Sequence, residues 1–145
     1  MRERGESLLE LVISVAILGT AVVAVVAGLG TAVMVSDAHR KQATAGAAVR
    51  DYAEAVQTFV LNGHYDAGSA PNYSPGAVGY SAPAGFTASA VSVRCWAGTA
   101  WQSCTAAQQG LEQLTVQVAS ADGRATESLV VVLRKRCGLG DTLCT

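Results

Sequence analysis

The apolar stretch LVISVAILGTAVVAVVAGLGTAVMV, residues 11–35, decides the fold of this chain. It runs for 25 residues without a charged side chain. As an α-helix that rises about 1.5 Å per residue it is roughly 37 Å long, which is enough to cross a hydrocarbon core of about 30 Å with some tilt. Residues 11–35 are therefore predicted to form a membrane-spanning helix.

Two carboxylates, Glu6 and Glu10, stand close to the start of this stretch. Leu8 and Leu9 precede Glu10, so its carboxylate interrupts a hydrophobic segment. An ionised group costs about 2.5 to 3.5 kcal/mol at the centre of a bilayer and less toward its edge, so Glu10 needs either water or a partner. One interpretation is that Glu10 marks the membrane boundary, one helical turn after Glu6, and extends its carboxylate into the headgroups.

The N-terminal segment resembles the signature of type IV prepilins, the precursors of pilins and of the pseudopilins of type II secretion. The shared features are a short charged leader, then Gly5, then Glu10 at the fifth place after that glycine, then a long apolar helix. The resemblance implies that a prepilin peptidase cuts between Gly5 and Glu6. It also implies methylation of the new amino terminus at Glu6, although the family most often has an aromatic residue at that place.

The resemblance further implies a role in filament assembly for Glu10, which would pair with the amino terminus of a neighbouring subunit. Cutting after Gly5 leaves an ammonium group at Glu6, and a buried carboxylate is far less costly when it has such a partner. The implied partners are the peptidase, membrane lipid before assembly, and other pilin or pseudopilin subunits in a helical filament. The small size of the chain suits a minor pilin or a pseudopilin.

Two other interpretations of the N-terminal segment compete with this one. A secretory signal peptide has an apolar core of about 7 to 15 residues, so the longer stretch here disfavours cleavage near Ala45 to Ala48. A plain membrane anchor is the stronger alternative, because it requires no role for Gly5 or Glu10. In that case the protein is a permanently anchored extracytoplasmic binding or adhesion domain without a filament role.

Length and charge limit the rest of the molecule. The chain has 145 residues, which leaves room for one small domain beyond the membrane segment. Its net charge of −1 gives no electrostatic reason to expect a nucleic acid partner.

Four cysteines fall in the last third of the chain, with 8, 32 and 6 residues between neighbours: Cys95, Cys104, Cys137 and Cys144. None of these gaps has the two to four residues that a zinc site uses, so disulfides are the better interpretation, with free buried cysteines as the alternative. Disulfides indicate an oxidising compartment, which places the N-terminus in the cytoplasm and the C-terminal domain outside it.

Four cysteines can pair in three ways. Pairing of sequence neighbours, Cys95 with Cys104 and Cys137 with Cys144, closes the shortest loops and needs the least rearrangement of the chain. By resemblance, Cys137 to Cys144 is similar to the disulfide-closed C-terminal loop of many pilins.

The pattern after Val35 divides the remaining chain into segments. Ala45, Val49, Tyr52 and Val56 recur at helical intervals, followed by Phe59 or Val60, so an amphipathic helix is predicted to continue to about Asn62 and to pack on a sheet. The predicted parts are a leader at 1–5, a membrane and assembly helix at 6–35, an amphipathic helix at 36–62, a Gly/Pro/Tyr loop at 63–85 and a sheet at 86–145.

Strands are predicted at Thr87–Trp96, Ala100–Cys104, Leu111–Ala119 and Thr126–Leu133, with a hairpin at Asp122 and Gly123. The last strand has apolar residues on both faces and is predicted to lie centrally in the sheet. The predicted fold class is α+β, with a long N-terminal helix packed on an antiparallel meander of three to four strands, as in pilins.

Few residues could support catalysis. His39 and His64 are the only histidines, and neither has a recognisable nucleophile or metal ligand beside it in sequence. No glycine-rich phosphate motif or metalloprotease motif occurs. Tyr65, Tyr73 and Tyr80 in the loop could form a contact surface or cover the edge of the domain. The sequence therefore predicts a protein that is not an enzyme and that uses no cofactor or metal.

Overall fold

The computed structural model describes residues 3–65, 68–104 and 110–136, and describes the side chains of the first helix from Leu8 onward. That helix, α1, spans Glu3–Leu61. The chain forms two compact units, Met1–His39 and Arg40–Thr145, and α1 contributes to both. The unit Arg40–Thr145 is called the C-terminal unit below.

Helix α1 ends at Leu61, one residue before the predicted end at Asn62. Gly63 follows with a φ of +93°, a left-handed conformation that glycine adopts without a steric penalty. Its N–H donates to the Val60 carbonyl oxygen at 3.0 Å, and the Arg136 guanidinium donates to the Leu61 carbonyl oxygen at 3.1 Å. These bonds satisfy carbonyl groups that the helix itself leaves without partners.

The predicted apolar stripe on α1 is buried. Ala45, Tyr52 and Val56 are fully buried, and Val49 and Val60 are nearly so. The stripe residues after Ala45 join Leu114, Val116, Val118, Val131 and Leu133 of the sheet in one hydrophobic core. Burial of this face against the sheet follows from the helical period of its apolar residues.

Four antiparallel strands form the sheet, and their bounds lie within a few residues of those predicted. Strand β1 is Phe86–Trp96, β2 is Trp101–Gln102, β3 is Leu111–Ser120 and β4 is Thr126–Arg134. The protein is thus α+β, with a long N-terminal helix packed on a four-stranded antiparallel sheet.

The predicted meander is wrong in its strand order, which is β2-β1-β3-β4. Strand β1 pairs with β2 on one side and with β3 on the other, so β3 does not pair with its predecessor in sequence. Strand β2 is only two residues long and cannot offer β3 a full ladder, whereas β1 pairs along nearly the whole of β3.

The prediction that the last strand is central was also wrong, because β4 lies at the edge of the described sheet. Leu129, Val131 and Leu133 face the core side, while Val130 and Val132 are 51% and 55% exposed. β-Branched side chains have restricted χ1 rotamers and pack well on a pleated, half-buried surface, so valines on both faces do not require a central position.

The segment predicted as a loop at 63–85 contains a short 3₁₀-helix, Ala70–Tyr73. Pro71 lies in its first turn, where its fixed φ suits a helix start and its missing N–H leaves no bond unmade. The rest of the described segment consists of turns and irregular backbone.

One ion pair joins α1 to the β3–β4 connection across 81 residues of sequence. The Lys41 ammonium donates to the Asp122 carboxylate at 2.5 Å. The Ser120 hydroxyl and the Arg124 backbone N–H also donate to Asp122, at 2.7 and 3.3 Å. These donors, Lys41 first, hold the pKa of Asp122 well below its usual range.

We expect Lys41→Met to raise the pKa of Asp122 toward its ordinary value near 4. A lowered pKa in the folded state means that the ion pair stabilises the fold above the unfolded pKa and that this contribution is lost as the pH falls through the folded value. A carboxyl ¹³C NMR titration of Asp122 in both proteins measures the shift. Equal midpoints in the two proteins would contradict the role assigned to Lys41.

Candidate functional site

The backbone of the predicted cleavage position is helical. Gly5 and Glu6 lie in the first turns of α1, which begins at Glu3. A peptidase that cuts between them therefore has to open the start of this helix. Glycine in a helix is less favourable than alanine by about 0.5 to 1 kcal/mol, so Gly5 lowers the cost of opening.

Glu10 lies on α1 four residues after Glu6 and is exposed. Residues four apart share one face of a helix, so an amino terminus created at Glu6 and the Glu10 carboxylate belong to the same side of α1. Among the side chains that the structure describes, none forms a hydrogen bond or an ion pair with Glu10. Its carboxylate is thus open to a partner from outside the described chain.

The apolar part of α1 has no cover within the described structure. Between Leu8 and Val35, sixteen large apolar side chains are 48% to 70% exposed, and they lie all around the helix. By length and composition this is a candidate membrane span, on the one helix of the described residues that meets both criteria. A helix that is apolar on every side needs lipid or other protein around it.

Two of the three hydroxyl side chains inside this apolar stretch donate to carbonyl oxygens of the same helix. The Thr20 hydroxyl donates to the Ile17 carbonyl oxygen at 2.9 Å, and the Thr31 hydroxyl donates to the Ala27 carbonyl oxygen at 3.1 Å. Each hydroxyl thereby finds its acceptor within the helix, which is what a bilayer interior demands.

Three glycines, Gly19, Gly28 and Gly30, lie along the same stretch. A Cβ built at any of them would meet no neighbouring atom within 4 Å. Their small size therefore serves no packing contact that the structure describes within this chain. Glycine at such positions allows close approach of a second helix, so these sites are open to contacts with other membrane helices or subunits.

A disulfide joins Cys95 to Cys104, the first of the two neighbour pairs considered from sequence. It links the end of β1 to the residues that follow β2, with 4.9 Å between the two Cα atoms. Cys137 and Cys144 lie outside the described residues, so their pairing remains a prediction.

The structure also contains a buried carboxylate, Glu112, that the sequence analysis missed. Glu112 is fully buried on β3 and accepts hydrogen bonds from the Tyr73 hydroxyl and, at 3.3 Å, from the Gly68 N–H. Its position could have been found, because Glu112 shares its strand face with Leu114, Val116 and Val118 by strict alternation. Such an acid needs hydrogen-bond partners to be tolerated there.

Gly68 closes this buried site on its outer side. Its φ is +102°, and a Cβ at this position would lie 2.9 Å from the Cβ of Cys104. Only glycine therefore fits between the disulfide and Glu112 without displacement of the backbone. The start of the 68–85 segment is thus held by its hydrogen bond to the Glu112 carboxylate and by its contact with the Cys95–Cys104 disulfide.

The three loop tyrosines cover the domain and do not form a separate contact surface. Tyr73 is fully buried, and its carbonyl oxygen accepts a bond of 2.6 Å from the Tyr52 hydroxyl. Tyr80 stacks on Tyr52 with 5.0 Å between ring centroids and donates to the Ala48 carbonyl oxygen at 2.9 Å. Burial raises the pKa of Tyr52 to about 12, so its hydroxyl remains a donor at neutral pH.

Tyr65 is the exception within this group, since its hydroxyl is buried and has no hydrogen-bond partner among the described residues. Burial and the nearby Glu112 charge raise the pKa of Tyr65. Its ring packs against the core, so its contribution to the fold comes from apolar contact.

The two histidines occupy unremarkable places in the structure. His64 stacks on Phe59, with 4.4 Å between the ring centroids, and its Nδ1 lies 3.3 Å from the Phe59 carbonyl oxygen. His39 is exposed on α1. Among the described residues, no group of three or more metal-ligating side chains converges on one point.

Comparison of the chain with models of protein families, with curated proteins and with solved structures found no match.

Proposed function

We propose that this protein is a prepilin-like subunit, a minor pilin or pseudopilin, that a prepilin peptidase cuts after Gly5. The mature subunit would then leave the membrane and join a type IV pilus-like filament or a filament for secretion or uptake. The observation that carries the proposal is Glu10, an acid without a partner in the described chain at the entrance to an uncovered apolar helix.

Cleavage supplies the charge that Glu10 needs. A new amino terminus at Glu6 is an ammonium group, and its ordinary pKa near 8 keeps it largely protonated at neutral pH. When helices of neighbouring subunits pack together, this cation can meet the Glu10 carboxylate of another copy in a medium of low dielectric constant. Because the ion pair would form between copies, it favours assembly over separate subunits.

The exposed apolar side chains of α1 also support this proposal, because they need other molecules to pack against. Lipid surrounds the apolar side chains between Leu8 and Val35 before assembly, and in a filament the same side chains would be covered by other subunits. Gly19, Gly28 and Gly30 would allow close helix contacts in either setting.

The proposed orientation places the N-terminus in the cytoplasm and the C-terminal unit outside the membrane. The Cys95–Cys104 disulfide supports this orientation, because structural disulfides persist in oxidising compartments and are rare in the cytoplasm. After assembly the C-terminal unit would lie on a filament of the cell envelope or surface.

We expect intact mass spectrometry of the purified protein to show a chain that begins at Glu6 when prepilin peptidase is active. In cells without the peptidase, the chain should keep its first five residues. Gly5→Leu provides a second test, because a large side chain before the cleaved bond should block processing while leaving membrane insertion unchanged.

A mature chain that retains residues 1–5 in cells with active peptidase would overturn the proposal. The protein would then be an ordinary anchored extracytoplasmic domain. Its presence in the membrane fraction, with none in sheared filaments, would identify that alternative independently of the N-terminal mass.

A further inference from the structure

A cavity of about 530 Å³ opens on the C-terminal unit, where the helix meets the β3–β4 connection. Helix α1 contributes Arg40, Lys41 and Thr44 to its lining, and the other walls include Phe86 and Asp122. Its volume lies in the range of small-molecule sites, which is about 300 to 1,000 Å³.

The charges around this cavity favour an anionic group. The lining carries two cations, Arg40 and Lys41, against one carboxylate, Asp122, and the nearby Arg124 adds a third cation. Asp122 accepts from Lys41 at 2.5 Å and lies 3.7 Å from the Arg124 guanidinium, so its charge is already compensated. Arg40 and Lys41 both have other interactions in the folded chain, but a guanidinium has five N–H donors and an ammonium three, so each can also donate to an anion.

The short stretch of chain between the apolar segment and the cavity residues limits the distance between them. Arg40 follows Val35 by five residues, and a chain of five residues spans at most about 18 Å even when fully extended. As a helix, the same five residues span about 7.5 Å, which is comparable to the polar layer of about 5 to 8 Å on each side of a bilayer core. Arg40 and Lys41 therefore lie within reach of lipid headgroups.

We propose that this cavity binds the phosphate of one phospholipid headgroup in the leaflet outside the cytoplasm. Arg40 and Lys41 would donate to the phosphate oxygens, and the half-buried Phe86 would provide an apolar wall for the glycerol end of the lipid. The proposal depends on the membrane insertion in the proposed function and does not depend on cleavage or filament assembly.

The test uses the full chain in nanodiscs of mixed phosphatidylglycerol and phosphatidylcholine, with retained lipid counted by native mass spectrometry. We expect one phospholipid per chain. Arg40→Gln should lower retention about tenfold or more, the factor that corresponds to 1.4 kcal/mol. Ala84→Trp should do the same without a change of charge, because its bulk fills an exposed position on the cavity wall.

Two control variants distinguish lipid binding in this cavity from general attraction of lipid to surface charge. Arg50→Gln removes an exposed cation from the same helix, and Ala97→Trp adds bulk at an exposed position outside the cavity. Both should retain the lipid, and circular dichroism should show that all four variants fold. Retention in Ala84→Trp, retention in Arg40→Gln, or no retained lipid in the unmodified chain would overturn the proposal.

Failure of this proposal and failure of the proposed function give different results. A chain that keeps residues 1–5 but retains one lipid would sustain the headgroup site and overturn the filament subunit. A chain that begins at Glu6 but retains no lipid would do the reverse.

Discussion

Glu10→Ala should leave the protein in the membrane and remove it from filaments. Membrane insertion should be unaffected, because replacement of an acid by alanine makes the start of the apolar helix less polar. Assembly should fail, because the amino terminus at Glu6 would enter a subunit interface without its counter-charge. Removal of one partner of a buried ion pair costs about 3 to 5 kcal/mol, which corresponds to a loss of incorporation of roughly 100-fold or more.

The measurement is the ratio of subunit in sheared filaments to subunit in membranes, for cells that express equal amounts of each protein. Glu54→Ala is the matched control, since Glu54 is an exposed acid on the same helix but lies in the C-terminal unit. The control should assemble normally. Normal incorporation of Glu10→Ala would remove Glu10 from the assembly mechanism.

Glu112→Ala should cause the largest loss of stability among single changes to polar residues of the C-terminal unit. The change removes the Glu112 acceptor from the buried Tyr73 hydroxyl and from the partly buried Gly68 N–H. Each unsatisfied buried group costs about 1 to 3 kcal/mol, so we expect the free energy of unfolding to fall by about 2 to 5 kcal/mol. For a domain near 100 residues that is a fall in Tm of at least about 8 °C.

Thermal unfolding of the full chain in detergent, followed by near-ultraviolet circular dichroism of the tyrosines and tryptophans, measures this loss. Glu112→Gln keeps an acceptor and should lose less. Glu127→Ala, at a partly exposed position of β4, should change Tm little. Equal Tm values for Glu112→Ala and Glu127→Ala would show that the buried carboxylate does not hold the 68–85 segment in place.

The elements of this fold were predictable because their signals are local. The uniformly apolar stretch from Leu11 to Val35 and the apolar stripe through Tyr52 together predicted one continuous helix. Alternation located the strands, and the observed bounds of β1, β3 and β4 each differ from the predicted ones by one residue at one end. A helical or strand period depends only on residues that are neighbours along the chain. It can therefore be recognised without knowing which segment the helix or strand packs against.

The pairing of strands in the sheet was harder to predict, because it depends on segments that are not neighbours in sequence. The valines of β4 indicated a central strand, yet Val130 and Val132 are half exposed at the edge of the described sheet. The choice of β1 over β2 as the partner of β3 follows from the length of ladder that each can offer. Neither property can be read from one strand by itself.

The sequence alone determined the apolar helix, the position of Glu10 at its entrance and the helix and strand periods, since each depends on residues that are neighbours along the chain. Only the tertiary structure decided the strand order, the hydrogen bonds that Glu112 accepts from Gly68 and Tyr73, and the ion pair between Lys41 and Asp122. The hydrogen bonds and the ion pair join residues 39 to 81 positions apart, and all three features acquire their energies only once the core has brought the segments together.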